Sequence, residues 1–267
     1  MTLKQLFRDY ALEKTIGKVI LRDALQRELE GYQAAEWVVC HSQWAAESVM
    51  REYAIPAAKI RTIVPGANID FVVFQHWYNT ASMHLRQPHE PLRLLFIGKY
   101  WDRKGLDRLL ETLLILQQKT RQVKLQVMGC DRNTLPVHLQ NLPDVEWLGF
   151  VNKRTDTERF LQITGNADVG CLLSRAEAGG MVLREYHALG LIVMGPDVGG
   201  APEHLFSDAG KAFPPESSAE EIANWIYTLA TDYELYRKLR VRAWEKRQRA
   251  TWETSVKQWR EILPRNR

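Results

Sequence analysis

From residue 92 onward the chain alternates short apolar runs with amphipathic stretches, and that rhythm leaves few folds open. Residues 92–97 are largely apolar and end at Gly98. Residues 105–118 set Leu106, Leu109, Leu110, Leu113 and Leu114 at helical spacing. Residues 123–128 form a second run, ending at Gly129, and residues 145–148 a third, ending at Gly149. Residues 155–164 read as a helix, 167–173 as a strand, 181–189 as a helix and 191–194 as a strand closed by Gly195-Pro196. Further helices run from about Ala219 to the end. Short, near-continuous apolar runs predict strands covered on both faces. With helices between them the expected class is α/β, a Rossmann-like parallel sheet. Such sheets bind ligands at the carboxyl ends of their strands, beside helix N-termini.

The first third reads differently. Residues 3–36 have helical character, with Leu21, Leu25 and Leu29 recurring every four positions. Residues 37–41 read as a buried strand, followed by Ser42 at a helix N-cap position. Residues 60–64 are another strand, closed by the turn Pro65-Gly66-Ala67-Asn68. From 69 to 91 the periodicity is lost. Phe71, Phe74, Trp77 and Tyr78 give way to the polar stretch Arg86-Gln87-Pro88-His89-Glu90-Pro91. The expected division is a partial α/β unit over 1–68, a linker over 69–91, the main domain over 92–250 and a C-terminal helix over 251–267.

Composition excludes several classes. At 45% hydrophobic and 25% charged residues, the chain is neither disordered nor fibrous nor a disulfide-dense mini-protein. No apolar run reaches the roughly 18 residues of a membrane-spanning helix. The start of the sequence has no secretory h-region. Cys40, Cys130 and Cys171 lie far apart, without metal-ligand or disulfide spacing, so a reducing cytoplasm is the expected setting. The net charge is +4, but residues 235–267 hold eleven Lys or Arg against three Glu. Three readings fit this tail: a solvated helical face, peripheral contact with the anionic inner leaflet assisted by Trp244, Trp252 and Trp259, or nucleic-acid binding. No nucleic-acid fold signature accompanies the charge, and the last reading is set aside.

Three stretches carry chemistry. In the first, Gly98 ends a strand, and Lys99, Arg103 and Lys104 precede a helix. Cations beside free helical N–H groups suit a diphosphate, although an exposed basic loop would look the same. In the second, Glu177 lies beyond a strand end and Gly179-Gly180 open a helix that carries Glu185. The loop can present backbone N–H groups to an anion, and each carboxylate can accept hydrogen bonds from sugar hydroxyls. An acidic helix start, or Arg184 pairing with Glu177 or Glu185, would make the same group structural. The third, residues 195–203, reads as a strand-to-helix turn with Glu203 in its first turn.

Taken in order, these pieces resemble the C-terminal, donor-binding half of retaining glycosyltransferases of family 4, which have the GT-B fold. They are Gly98 followed by Arg103-Lys104-Gly105, then Gly129, Val145-Glu146-Trp147-Leu148-Gly149-Phe150, Ala167-Asp168-Val169, the pair Glu177 and Glu185, and Asp197-Val198-Gly199-Gly200 with Pro202-Glu203. Residues 35–68 resemble the end of the family's first domain. The resemblance implies that Lys104 and Arg103 bind the donor diphosphate and that Lys99 stands where the family often has Arg. Gly98 and Gly129 would line the cleft, and backbone at Phe150 and Val151 would meet the base. Glu177 would be the catalytic contact to the transferred sugar. The loop at Gly179, Gly180, Met181 and Val182 would supply amides, and Glu185 would hold the ribose hydroxyls. The donor would be a UDP-, GDP- or ADP-linked sugar, with no metal or other cofactor required. His41 and His187 do not match the family's histidine that faces the transferred sugar, and both read as structural.

The resemblance also carries a departure. About one domain's worth of acceptor-binding residues has no counterpart here, so the first unit reads as a remnant and low stand-alone activity is expected. A partner chain could supply the rest. Two other functions fit the pieces: a non-catalytic nucleotide-sugar-binding subunit of a split enzyme, and a sugar-nucleotide epimerase on the same fold, which needs acid/base groups that do not stand out.

Overall fold

The structure, a computed structural model, describes residues 2–5 and 18–263. The part of the N-terminal helical reading that falls on 6–17, and the last four residues of the expected C-terminal helix, lie outside the described residues.

The small lobe runs through α1 (Lys18–Ala34), β1 (Val38–Cys40), α2 (Gln43–Tyr53) and β2 (Ile60–Thr62). β1 and β2 pair in parallel, Val38 opposite Ile60 and Cys40 opposite Thr62. Parallel neighbours need a crossover, and α2 supplies it. The Ser42 hydroxyl caps α2 as its position predicts, accepting the Ala45 N–H at 3.1 Å. Val38, Cys40, Ala46, Val49 and Ile60 close a core of their own.

The stretch read as a linker is more structured than that reading allows. It contains α3 (Phe71–Thr80), begun by Asp70, whose carboxylate accepts the N–H groups of Val72 and Val73. Val73, Phe74, Trp77 and Tyr78 share the face that packs on the large lobe. Phe74 is buried there, whereas Phe71 and Val72 are exposed. The aromatics Phe71, Phe74, Trp77 and Tyr78 stand at i, i+3, i+6 and i+7, so the helical period is present in the sequence and the linker reading is corrected. Arg86, in the polar stretch, is fully buried. Its guanidinium donates to the carbonyls of Glu90 and Ala230 at 2.9 Å and Leu229 at 3.1 Å, and lies 4.7 Å from the Tyr236 ring centre.

The large lobe is the expected α/β unit. Its strands are β3 (Leu92–Ile97), β4 (Val123–Met128), β5 (Val145–Gly149), β6 (Val169–Cys171), β7 (Ile192–Pro196) and β8 (Gly210–Phe213). They form one parallel sheet in the order β5-β4-β3-β6-β7-β8. The chain moves outward from β3 to β5, returns to lay β6 on the other side of β3, and moves outward again. The direction reverses between β3 and β6, where such sheets open a crevice. Strand residues alternate between two cores. Leu92, Leu94 and Phe96 join one with α4 (Leu106–Lys119), whereas Leu95 joins the other with Tyr186, Leu189 and Val193. α4 buries Leu106, Leu109, Leu110, Leu113 and Leu116. Each such leucine contributes roughly 1.5–3 kcal/mol by leaving water.

α5 (Thr157–Gly165) and α6 (Met181–Ala188) cover the second face, and α7 (Ala219–Thr231), α8 (Tyr233–Lys246) and α9 (Trp252–Ile262) close the lobe. Much of the basic tail is engaged internally. Arg240 is buried and donates to the Gly190 carbonyl, Lys246 pairs with Asp208, and Arg247 stacks on Trp244 and Tyr78 at 3.9 and 4.5 Å. α9 then meets the small lobe. The Ala67 N–H donates to the Ala250 carbonyl at 2.8 Å, and the Ser255 hydroxyl to that of Val64 at 2.6 Å. Gly66 permits this crossing, because a Cβ there would lie 2.4 Å from the Trp252 nitrogen. Among the described residues no helix is long and apolar enough to cross a membrane.

Candidate functional site

The ends of β3, β4 and β5 gather beside the switch point. β3 leads into Gly98 and β4 into Gly129, whose φ is +94°. A Cβ on Gly129 would stand 3.0 Å from the Gly98 carbonyl oxygen, so the two turns touch through backbone alone. Below them opens a cavity of about 280 Å³, lined by Ile97, Gly98, Lys99, Met128, Gly129, Phe150, Val151, Asn152, Lys153, Arg154, Phe160 and Glu185. A larger groove of about 610 Å³ follows α8 from Asp232 to Glu245. It draws on that helix and its cap alone and lies at no strand end, so the smaller cavity is the better candidate.

Beside the cavity sits a cluster of carboxylate and cations. Lys104 Nζ is 2.5 Å from Glu177 Oε2, and Arg103 Nη1 is 4.0 Å from the same atom. The Ser174 hydroxyl donates to it at 3.2 Å. Backbone bonds fix the loop beneath. Arg175 N–H donates to the Arg103 carbonyl at 2.9 Å, and the Arg175 guanidinium grips Asp107 through two bonds. Gly105 has a φ of +71°, and a Cβ there would collide with the Leu173 carbonyl at 2.1 Å. Only glycine lets this turn and the loop after β6 come together.

α6 starts at this cluster. Its N-cap is Gly180, with a φ of +68° and no side-chain cap, so no side chain satisfies the first-turn N–H groups of Met181 and Val182. A Cβ at Gly180 would lie 3.3 Å from the Glu177 side chain. Uncapped amides beside two cations suit an anion. One turn on, Glu185 points into the cavity with its side chain 3% exposed and forms an ion pair with Lys153. Burial raises its pKa, and Lys153 and, more weakly, Lys104 oppose that rise. Glu185 therefore feels the charge of Lys104 as well as that of Lys153. Tyr186 seats this helix on the sheet, its hydroxyl donating to the Leu95 carbonyl at 3.1 Å and accepting the Ile97 N–H at 2.9 Å.

The residues singled out in the sequence thus fall into two adjoining groups. Gly98, Lys99, Gly129, Phe150, Val151 and Glu185 line the cavity. Arg103, Lys104, Glu177, Gly180, Met181 and Val182 form the neighbouring cluster and helix start. Gly179 is buried behind them, where a Cβ would lie 2.9 Å from His204 Nε2. Arg184 pairs with neither glutamate. It donates to the carbonyls of Pro65, at 3.1 Å, and Arg249, at 2.5 Å. Asp168 is buried, held by the Arg93 N–H and the Tyr236 hydroxyl, both at 2.8 Å. His187 is buried, stacked on Phe206 and accepting its N–H at 3.1 Å, and burial holds its pKa well below the ordinary value.

Sequence reasoning missed two participants. Lys153 gave only the faint signal of cations following a strand end. Glu203, read as part of a turn, reaches the other lobe. Its carboxylate accepts the N–H groups of Gln43 at 2.6 Å and Trp44 at 2.9 Å, in the first turn of α2. Its neighbour His204 meets the His41 carbonyl at 3.1 Å. Behind this contact Gly199 packs on the Glu177 carbonyl, where a Cβ would lie 2.0 Å from the oxygen.

Solved structures share this fold. WaaG, a glycosyltransferase involved in lipopolysaccharide biosynthesis, superposes with a TM-score of 0.66 at 17% identity, over 96% of this chain and 72% of its own. HepE of Anabaena, solved in complex with UDP-glucose, gives 0.66 at 20% identity, over 89% and 67%. The GtfA/B complex gives 0.66 at 12% identity, over 90% and 47%. The chain thus spans between about half and three quarters of the length of these structures. These GT-B neighbours are alike in fold. No curated protein sequence matches significantly. The pattern of the family described as glycosyl transferases group 1 matches residues 80–246, more than half of the chain. On that match the chain belongs to the glycosyl transferases group 1 family.

Proposed function

We propose that this chain is the donor-binding part of a retaining glycosyltransferase of the family 4 type, which takes its sugar from a nucleotide diphosphate. One observation carries the reading: the Lys104–Glu177 pair and the buried Glu185 converge at the switch point of a parallel sheet, beside an uncapped helix start. In this assignment the cavity takes the nucleoside, with the base against backbone at Phe150 and Val151 and the ribose diol on Glu185. The diphosphate meets Lys104, Arg103, Lys99 and the first amides of α6. Glu177 exchanges Lys104 for hydroxyls of the transferred sugar. Charge developing on the leaving diphosphate is met by these cations and amides, an electrostatic form of catalysis. The acceptor attacks from the face the leaving group departs, giving retention.

The proposal keeps 92–250 as the donor domain and 1–68 as part of an acceptor domain. Among the described residues that part offers one parallel strand pair, so the 267 residues alone are assigned donor binding with little transfer. A second reading, a binding subunit that works beside a partner, draws support from Phe71 and Val72, exposed at 55% and 75% at the start of α3. Calorimetry with UDP, GDP and ADP on the wild type and Glu185→Ala tests the main reading. Saturable heat with one diphosphate, weakened in the variant, supports it. No heat with any of them contradicts it.

A further inference from the structure

Lys153 lies outside every motif that marked the site, yet it makes the closest contact to Glu185. Its ammonium forms an ion pair with Oε1 of that carboxylate, and the two side chains are 31% and 3% exposed. A carboxylate at such depth favours its neutral form unless a cation faces it. Protonation state decides what Glu185 can bind. An ionised carboxylate accepts at both oxygens, through about four lone-pair directions, whereas a protonated one gives up part of that capacity to its own O–H. A vicinal diol that donates two hydroxyls needs the ionised form, and the spare lone pairs leave room for diol and ammonium together.

The groups around Glu185 single out Lys153. Lys104, from the turn after β3, is held by Glu177 at 2.5 Å. Lys99 and Arg154 line the same cavity, and neither forms an ion pair with Glu185. Tyr186, next on the helix, turns its hydroxyl to Leu95 and Ile97. We propose that Lys153 is a positioning residue that keeps Glu185 an ionised acceptor for a ribose-type diol, and that it stays in the site when the nucleotide is bound. The diol part rests on the nucleotide-binding reading above.

The test compares wild type, Lys153→Met and Lys153→Arg. UDP and 2′,3′-dideoxy-UDP are titrated by calorimetry between about pH 6 and about pH 8. The ratio of the two affinities isolates the diol from titration of the phosphates. The expected ratio is flat with pH in wild type and Lys153→Arg. In Lys153→Met it matches wild type at the alkaline end and falls by up to about tenfold per pH unit below the Glu185 pKa. The sign follows from the charge: a raised pKa leaves the carboxylate ionised above it and protonated below. A flat ratio in Lys153→Met overturns the proposal. So does a uniform tightening at every pH, which would make Lys153 a plug that leaves. A second readout needs no nucleotide. Carboxyl carbon NMR of the free protein, assigned with Glu185→Gln, should show the Glu185 titration moving upward in Lys153→Met, and an unmoved titration overturns the proposal. If no nucleotide binds while the titration moves, the functional reading fails and the electrostatic role stands.

Discussion

Lys104 Nζ lies 2.5 Å from Glu177 Oε2, so the cation assigned to the diphosphate is engaged by the carboxylate assigned to the sugar. Both side chains are mostly buried, at 16% and 10% exposure. An entering nucleotide sugar must separate them. Replacing Glu177 by Gln removes the competing charge, so UDP should bind more tightly, by about fivefold or about 1 kcal/mol. Under the proposed function, transfer from the nucleotide sugar that binds should fall. Unchanged or weaker UDP binding would contradict the competition.

The complementary change separates phosphate from nucleoside. Lys104→Met should weaken UDP binding by about 2–5 kcal/mol, the usual loss for truncating one member of a buried charge pair. Uridine, which has no phosphate, should keep its affinity within about twofold. Equal losses for both ligands in competition titrations would place Lys104 outside the phosphate site.

Strand positions were legible in the sequence where burial on both faces forces continuous apolar runs, as in β3 and β4. The α4 stripe was legible for the same reason, with Leu116 rather than Leu114 at its buried end. β8 was not legible, because the edge strand Gly210–Phe213 contains Lys211 and presents no apolar run. α3 was legible in the i, i+3, i+6, i+7 spacing of Phe71, Phe74, Trp77 and Tyr78, but the polar stretch after it drew the whole segment into a linker reading. Arg86 could not be read as buried, because the carbonyls that satisfy it belong to Leu229 and Ala230, far along the chain. In the site, glycines and charged residues beside strand ends were visible locally. Lys153 was not, because its meaning comes from Glu185, which arrives on a different element.

The turn between the cations and α4 should tolerate no side chain. Gly105→Ala combines a φ of +71° with a Cβ 2.1 Å from the Leu173 carbonyl oxygen. A loss of about 2–4 kcal/mol is expected from strain and displacement of the loop after β6. Urea unfolding measures it, and a loss under about 0.5 kcal/mol would show that the turn relaxes freely.

One of the contacts between the lobes runs through the Glu203 carboxylate. Glu203→Gln removes a charged cap from the start of α2 and should cost about 1 kcal/mol locally. Amide exchange at Gln43 and Trp44 should quicken by about fivefold, with the strands of the large lobe unaffected. Uniform acceleration in both lobes would mean a global effect instead.

Acid should weaken the fold through its buried histidines. Burial lowers the His204 pKa to about 4, with Arg184 adding to the shift, and holds His187 lower than its ordinary value as well. Both are neutral when folded and free to protonate when unfolded. Their stabilisation is full above the unfolded histidine value of about 6.5 and declines as pH falls toward the folded value, by at most about 1.4 kcal/mol per unit for each. Unfolding free energy measured at about pH 7 and about pH 5 should show that drop, and His204→Asn should shrink it. An equal drop in the variant would exclude His204 as a source.

The most direct measurement is a crystal structure of the chain with the nucleotide diphosphate that binds best in calorimetry. The account predicts the ribose hydroxyls on the Glu185 carboxylate and the diphosphate against Lys104 and the amides of Met181 and Val182. A nucleotide seated elsewhere, or in this cleft with its ribose away from Glu185, would contradict it.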